Sequence, residues 1–413
     1  MKLVIVGGGV AGLYAAWHLS ARHEVTLLEA DHRLGGHADT QWVETASGPI
    51  PIDTGFIVFN EGHYPLFSEW LKTLGVAWKD SNMSFAVSDL ASGLEYNATT
   101  LNTLFCQRRN LINPRFLGMV RDIIRFYRRA PGLLQSLDDR VTLGQWLAES
   151  GFGSLFAEQH LLPMASALWS APMGQIREFP MKHLLAFMDN HAMLKLSGRP
   201  TWRTIDGGSR CYVEKAQQCQ ARFLTGQAAR RIVRSSDQVR VYTDSDTFEA
   251  DAVILACHSD QALGMLETPS KLEQEVLSAI AYQPNETVLH TDSRLLPRQQ
   301  AARASWNVRR DGKDDDQCRV SYYMNLLQGI DSSEDYIVSL NQTELIDPAR
   351  ILVKRQYQHP VFTPEAVAAQ ARWHEINGQQ RTWYCGAWWG WGFHEDGARS
   401  ARRVVDHIEA THG

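Results

Sequence analysis

Residues 2–29 read KLVIVGGGVAGLYAAWHLSARHEVTLLE, and this stretch decides the fold. Lys2–Val6 is an unbroken apolar-rich run of the kind a parallel strand buried on both faces requires. Gly7, Gly9 and Gly12 follow in the spacing G-x-G-x-x-G. Leu13–Ala21 predicts a helix, and Glu24–Glu29 predicts a second strand ending in an acid. Together they predict a βαβ unit. In such a unit Gly7 permits the tight turn, Gly9 lets a pyrophosphate approach the backbone beside Val10 and Ala11, and Gly12 lets the helix pack on the strand. The helix N-terminus aims amide donors at the phosphate. Glu29, followed by Ala30, stands where an acid accepts hydrogen bonds from an adenosine ribose. A Gly-rich turn with no ligand is the alternative. The strand before it, the helix after it and the acid at this distance favour a dinucleotide.

The whole composition fits a soluble enzyme. The chain has 413 residues, 44% hydrophobic and 21% charged, enough for two intimately joined domains. A net charge of −5 gives no global basicity of the kind that binds nucleic acid. The six cysteines form no C-x-x-C pair, so reduced thiols in a cytoplasmic protein are expected. No leader segment is expected, since the first strand opens at residue 2. No apolar stretch reaches 18 residues.

Arg33-Leu34-Gly35-Gly36 comes next. It resembles the R-x-G-G signature of the flavin amine oxidase and phytoene desaturase superfamily, whose members bind FAD in the two-dinucleotide mode. The resemblance places Arg33, Gly35 and Gly36 near the diphosphate and flavin. His37 stands where amine oxidases usually carry arginine. Asp53-Thr54-Gly55-Phe56 resembles the loop passing along the flavin, with Gly55 in close approach and Phe56 and Ile57 near the ring. Trp202–Val213 resembles the segment that returns the chain to the FAD domain. A residue at or near Ala229 would hold adenine through its backbone. TWYCGAWWGWGFHEDG (382–397) resembles the C-terminal flavin motif. There Gly386 and Ala387 would meet the diphosphate and ribityl chain. The amides of Glu395, Asp396 and Gly397 would face the flavin N1/O2 edge, where a helix N-terminus favours negative charge. Trp388 stands where amine oxidases have glutamate.

The fold class implied is α/β: a two-dinucleotide-binding Rossmann-like FAD domain carrying an inserted α+β substrate domain, an antiparallel sheet plus helices. The FAD domain is assigned to 1–75, 200–283 and 377–413, and the substrate domain to 76–199 and 284–376. Residues 75–200 show helical periodicity. Ala229–Val241 and Ala250–Cys257 read as strands. Glu286–His290, Ala304–Val308, Arg319–Leu326 and Tyr336–Asn341 alternate like antiparallel strands, with Asp311–Asp316 as a hairpin tip. His183 and His191, eight apart and without partner carboxylates or cysteines, give no metal site. Phe105–Leu133 holds seven arginines and one acid among apolar residues. Its basic amphipathic pattern suits peripheral contact with an anionic membrane, such as the inner face of the cell membrane. A solvated helix with its apolar side on the core is the alternative.

Trp388, Trp389, Trp391, Tyr322 and Tyr323 would cage an amine or line a pocket for a long hydrocarbon, and no acid is evident to recruit a cation. GGHADT, IDTGFIVFNEGHYP, VLHTD, SYYMNLLQG and WYCGAWWGWGFHEDG together resemble a bacterial subgroup related to the flavin domain of plant cyclopropane fatty-acid synthases. That subgroup includes desaturases of the furan fatty acid pathway. The resemblance implies hydride transfer to flavin N5 from a methylated unsaturated fatty acyl chain of a phospholipid, with His290 or Tyr323 as base. Oxidation of an amine or a carotenoid-like polyene is the second reading. A non-catalytic flavoprotein presenting lipid to a partner enzyme is the third.

Overall fold

The computed structural model describes residues 1–195, 198–312 and 317–412. Strand β1 (Lys2–Val6) lies at the centre of a five-stranded parallel sheet. Helix α1 (Val10–Leu19) leads from it to β2 (Glu24–Leu28). The sheet is completed by β3 (Arg222–Leu224), β4 (Ala252–Leu255) and β5 (Thr382–Tyr384), in the order β3-β2-β1-β4-β5. Leu3, Ile5, Leu27, Ile254 and Leu255 are buried, which is why β1 and β4 carry apolar residues on both faces. Helix α1 starts three residues earlier than its periodicity predicts, because Gly9 is extended and acts as the N-cap. Helix α2 (Pro65–Thr73) and the C-terminal α4 (His394–His412) join the same layer. Gly397 of α4 sits against α1; a Cβ there would lie 2.6 Å from Val10 Cγ1.

The second sheet has seven strands, in the order 351–361, 281–290, 337–340, 320–323, 306–310, 85–89 and 94–97. Neighbours are antiparallel except Trp306–Arg310 and Phe85–Asp89, which run parallel. The two inserted segments therefore build one sheet. A helical block, including α3 (Pro114–Ser136), packs on this sheet and shares an apolar core with Val87, Leu94, Tyr96, Val308 and Val320.

Several expectations need correction. Phe85–Asp89 and Leu94–Asn97 are strands inside a stretch read as helical. Ala229–Val241 is not one strand. Ser235 and Gln238 close a turn through Ser235 N–H to Gln238 O (2.9 Å), and the segment folds as a hairpin extended by Thr247–Ala250. The strand over Arg319–Leu326 stops at Tyr323, where a short helix begins. Ala366, Ala369, Trp373 and Ile376, assigned to the substrate domain, pack into the nucleotide-side core. Of the hairpin tip Asp311–Asp316, residues 313–316 lie outside the described residues. Helix α3 does not present its apolar face outward: Phe116, Met119, Phe126 and Ala130 are buried in the core of the helical block.

Candidate active site

The three glycines of the first turn have different jobs. Gly7 has φ +109°, and its amide donates to Leu28 O at 2.8 Å. A Cβ on Gly12 would stand 1.9 Å from Gly7 O, so only glycine lets α1 meet the strand. A Cβ on Gly9 would meet nothing within 4 Å. The second glycine thus faces open space at the helix N-terminus, where a diphosphate would be cradled. Glu29 is fixed beside it, accepting from the Gly8 amide (2.7 Å) and the Asp31 amide (2.8 Å). The twin-glycine loop closes on the same point: the Gly35 amide donates to Gly8 O (2.8 Å), and a Cβ on Gly36 would come 3.2 Å from Gly9 Cα.

A buried carboxylate ties the remaining loops together. Asp53 accepts from Thr40 Oγ1 (2.6 Å), from Ser209 Oγ and N, and from Gln328 Nε2 (3.0 Å). It joins the flavin-loop candidate 53–57 to the Gly207-Gly208 turn and to the substrate half. Burial pushes its carboxyl up to about 6, opposed by the bonds from Thr40 and Ser209.

One cavity of about 690 Å³ runs through these loops. Of the predicted cofactor residues, Gly7, Gly9, Val10, Ala11, Glu29, Ala30, Gly35, Gly36, His37, Gly55, Phe56, Ile57, Ala229, Gly386 and Ala387 line it. Tyr322 and Trp391 also line it. Gly12 does not, since it is used in packing. Arg33 does not either. It staples the twin-glycine loop, donating to Gly36 O (2.8 Å) and Ala38 O (3.1 Å).

At the other end Gly392, Phe393 and His394 line the cavity, whereas Glu395, Asp396 and Gly397 lie one step deeper in α4. The Glu395 carboxylate caps α2, accepting from the amides of Leu66 (3.2 Å) and Phe67 (3.0 Å). Asp396 accepts from the amides of Trp391 and Phe393, both at 3.0 Å. Trp389 does not reach the cavity; it is buried and stacks on Trp388 at 4.2 Å. His290 and Tyr323 also fall outside the lining. His290 is fully buried between Ser339 Oγ (2.8 Å) and the Asp292 amide (3.0 Å). The Tyr323 hydroxyl donates to Asp335 (2.6 Å). Both candidates for the base are thus structural residues of the sheet.

The sequence reading missed a histidine cluster. His37, His258 and His359 all line the cavity. The His37 ring lies 5.3 Å from that of His359 and 6.4 Å from that of His258. Burial, with mutual repulsion, pushes His37 to about 4 and His359 to about 3; burial alone dominates at His258, also about 4. All three are therefore neutral at pH 7. His37 Nε2 and His258 Nδ1 are buried and without a hydrogen-bond partner, as are the indole nitrogens of Trp306 and Trp391. His258 stands three residues after the end of buried β4, which is a usable signal. His359 carries none, because only the register of 281–290 against 351–361 brings it here.

The arrangement fits a dinucleotide cofactor: open space at Gly9, an acid held for a ribose, and one cavity that runs from them past Gly55, Phe56, Gly386 and Ala387. The comparisons agree. The family described as flavin containing amine oxidoreductase matches residues 10–322. Cyclohexylamine oxidase from Brevibacterium oxydans IH-35A superposes with a TM-score of 0.72 at 14% identity, covering 99% of each chain. A CLA-producing fatty acid isomerase from P. acnes superposes with a TM-score of 0.68 at 14% identity, over 100% of this chain and 99% of that one. A carotenoid phi-ring synthase of Chlorobaculum tepidum is 37% identical over 76 residues, 18% of this chain. That match spans 12% of the curated relative's own length. The chain belongs to the flavin containing amine oxidoreductases, an FAD-dependent oxidoreductase of that fold.

Proposed function

We propose that this member of the flavin containing amine oxidoreductases desaturates an apolar substrate, a methylated unsaturated fatty acyl chain of a membrane phospholipid. The observation that carries the reading is the charge of the cavity wall. Beyond the nucleotide end it is lined by Leu168, Trp169, Trp306, Tyr322, Leu340 and Trp391. Glu29, held at the ribose end, is the only carboxylate among its described lining residues. An ammonium substrate would find no counter-ion there, and burying an unpaired charge is costly. A hydrocarbon requires none. The fatty acid isomerase among the solved structures supports the idea that this fold accepts an acyl chain, although fold likeness alone does not carry function.

When bound, the flavin supplies the two-electron acceptor of the dehydrogenation. The protein's part is to hold the cofactor at the Gly9 cradle, to orient the chain along the aromatic wall and to keep water out. Forming one double bond also releases a proton. His37 and His258 line the cavity as neutral imidazoles, and they replace His290 and Tyr323 as candidates to take it.

Anaerobic mixing tests the reading. The FAD-loaded protein should lose the visible band of oxidised flavin when mixed with phospholipids bearing methylated unsaturated chains. Bleaching by amines alone would overturn it in favour of amine oxidation. No bleaching by lipid, amine or polyene, with lipid still bound, would indicate a non-catalytic subunit.

A further inference from the structure

Eight large apolar side chains are exposed among the described residues, and four of them fall between residues 101 and 117. They are Leu101 (75% exposed), Leu111 (51%), Ile112 (85%) and Leu117 (41%). Contacts within the fold hold this stretch together. Arg108 ties its parts, donating to Asn102 Oδ1 (2.6 Å) and Phe105 O (3.1 Å). Phe105 packs on Phe116 of α3 with ring centroids 5.6 Å apart. Leu111 and Ile112 end a short helical turn just before Asn113 caps α3 by accepting from the amides of Arg115 and Phe116.

The charge of this segment is one-sided. Residues 101–117 contain Arg108, Arg109 and Arg115 and no acid. Among the described residues, no carboxylate pairs with these three or with Arg128 and Arg129, which are exposed farther along α3. The single acid of the helix, Asp122, is buried, 3.5 Å from Arg125, and accepts from the Gly153 amide. With seven arginines and one acid, residues 105–133 carry +6; the chain carries −5, so the remainder carries −11. Half of the exposed large apolar side chains among the described residues thus fall in one 17-residue segment that also carries only positive charge. With exposed arginines that pair with no carboxylate, on an otherwise acidic molecule, the segment complements a surface that is apolar beneath and anionic on top.

We propose that residues 101–117 form a membrane anchor: Leu101, Leu111, Ile112 and Leu117 enter the acyl boundary of an anionic bilayer, and Arg108, Arg109 and Arg115 contact its phosphates. The helix does not lie along the membrane, since its apolar face is spent on the core; its first turn and the segment before it make the contact. This is argued from exposure and charge alone, so it stands or falls separately from the acyl-chain substrate.

Vesicle sedimentation of the full FAD-loaded protein tests it. Binding should be at least tenfold stronger on phosphatidylcholine–phosphatidylglycerol vesicles than on phosphatidylcholine alone, and should weaken in high salt. The double variant Leu111→Glu, Ile112→Glu should lose at least tenfold of that binding while keeping its flavin absorbance, which certifies folding. Arg108→Glu, Arg109→Glu should do the same on anionic vesicles only. Equal recovery on both vesicle types, wild-type binding by the leucine–isoleucine variant, or loss of a dimer in that variant without loss of vesicle binding would overturn the proposal.

Discussion

Gly9→Ala and Gly12→Ala are the same chemical change three residues apart, and the structure predicts opposite consequences. A methyl at residue 12 would meet Gly7 O at 1.9 Å, a backbone atom that cannot turn aside. Helix α1 gains about 1 kcal/mol of intrinsic propensity from alanine, but overpacking of this kind costs about 1–3 kcal/mol or more, so the fold loses. A methyl at residue 9 meets nothing within 4 Å. Its cost to the FAD-free fold is about 0.5 kcal/mol, the difference between glycine and alanine at an N-cap. Its cost to FAD binding is larger, because it occupies the cradle. If the affinity falls about 100-fold, the stabilisation conferred by FAD at 1,000 times the original Kd drops from about 4 to about 1.4 kcal/mol. Melting each variant with and without FAD separates the two cases. Gly9→Ala should melt like the parent without FAD and gain little when FAD is added. Gly12→Ala should melt low in both. A Gly9→Ala protein that takes up FAD with parental affinity would refute the assignment of that space to the diphosphate.

Glu395→Ala should remove the cap on α2 and cost about 1–2 kcal/mol, lowering Tm while flavin absorbance is retained, since its carboxylate serves the Leu66 and Phe67 amides. Glu273→Gln should cost about 3 kcal/mol or more in denaturant titration: it leaves Arg234, buried with it at 2.5 Å, without its counter-ion and weakens the bond from Tyr384 (2.6 Å). Acid should destabilise the protein through His37, His258 and His359. Their folded values lie below the unfolded 6.5, so the unfolded chain binds more protons between about pH 6.5 and 4 and stability falls as pH falls through that window. Each contributes on the order of 2–3 kcal/mol at pH 4. Asp53 and Asp396, pushed up to about 6 chiefly by burial, act in the opposite sense. A single His258→Gln comparison, melted from pH 7 to 4.5, isolates the histidine part; an unchanged pH dependence would count against it.

The cofactor half was legible because its requirements are local and absolute. Gly7, Gly12, Gly35 and Gly36 are fixed by backbone contacts within a few ångströms, and no other side chain fits them. The substrate half was not legible for the complementary reason. Phe85–Asp89 was read as part of a helical stretch, and what makes it a strand is Trp306–Arg310, more than 200 residues away and parallel to it. The base candidates failed similarly. His290 has the residue type of a catalytic base, but the sheet turns it to Ser339. His359 has no motif around it and reaches the cavity only because its strand pairs at Gln283.

The electrostatics of the cavity link the cofactor to the substrate. Two helix N-termini border it, α1 through Val10 and Ala11 and α4 through His394. Each contributes partial positive charge, suited to a diphosphate at one end and to an electron-rich ring at the other. Three charged histidines would add repulsion to that potential, and their burial keeps them neutral instead. The wall beyond them adds no carboxylate. The proposed acyl-chain substrate needs no counter-ion from such a wall, whereas an ammonium group would need one. Placing a carboxylate on that wall, Tyr322→Glu, should test this directly: it should weaken binding of an acyl lipid at least tenfold without impairing FAD uptake. Unaltered lipid affinity would mean that the hydrocarbon does not lie along Tyr322.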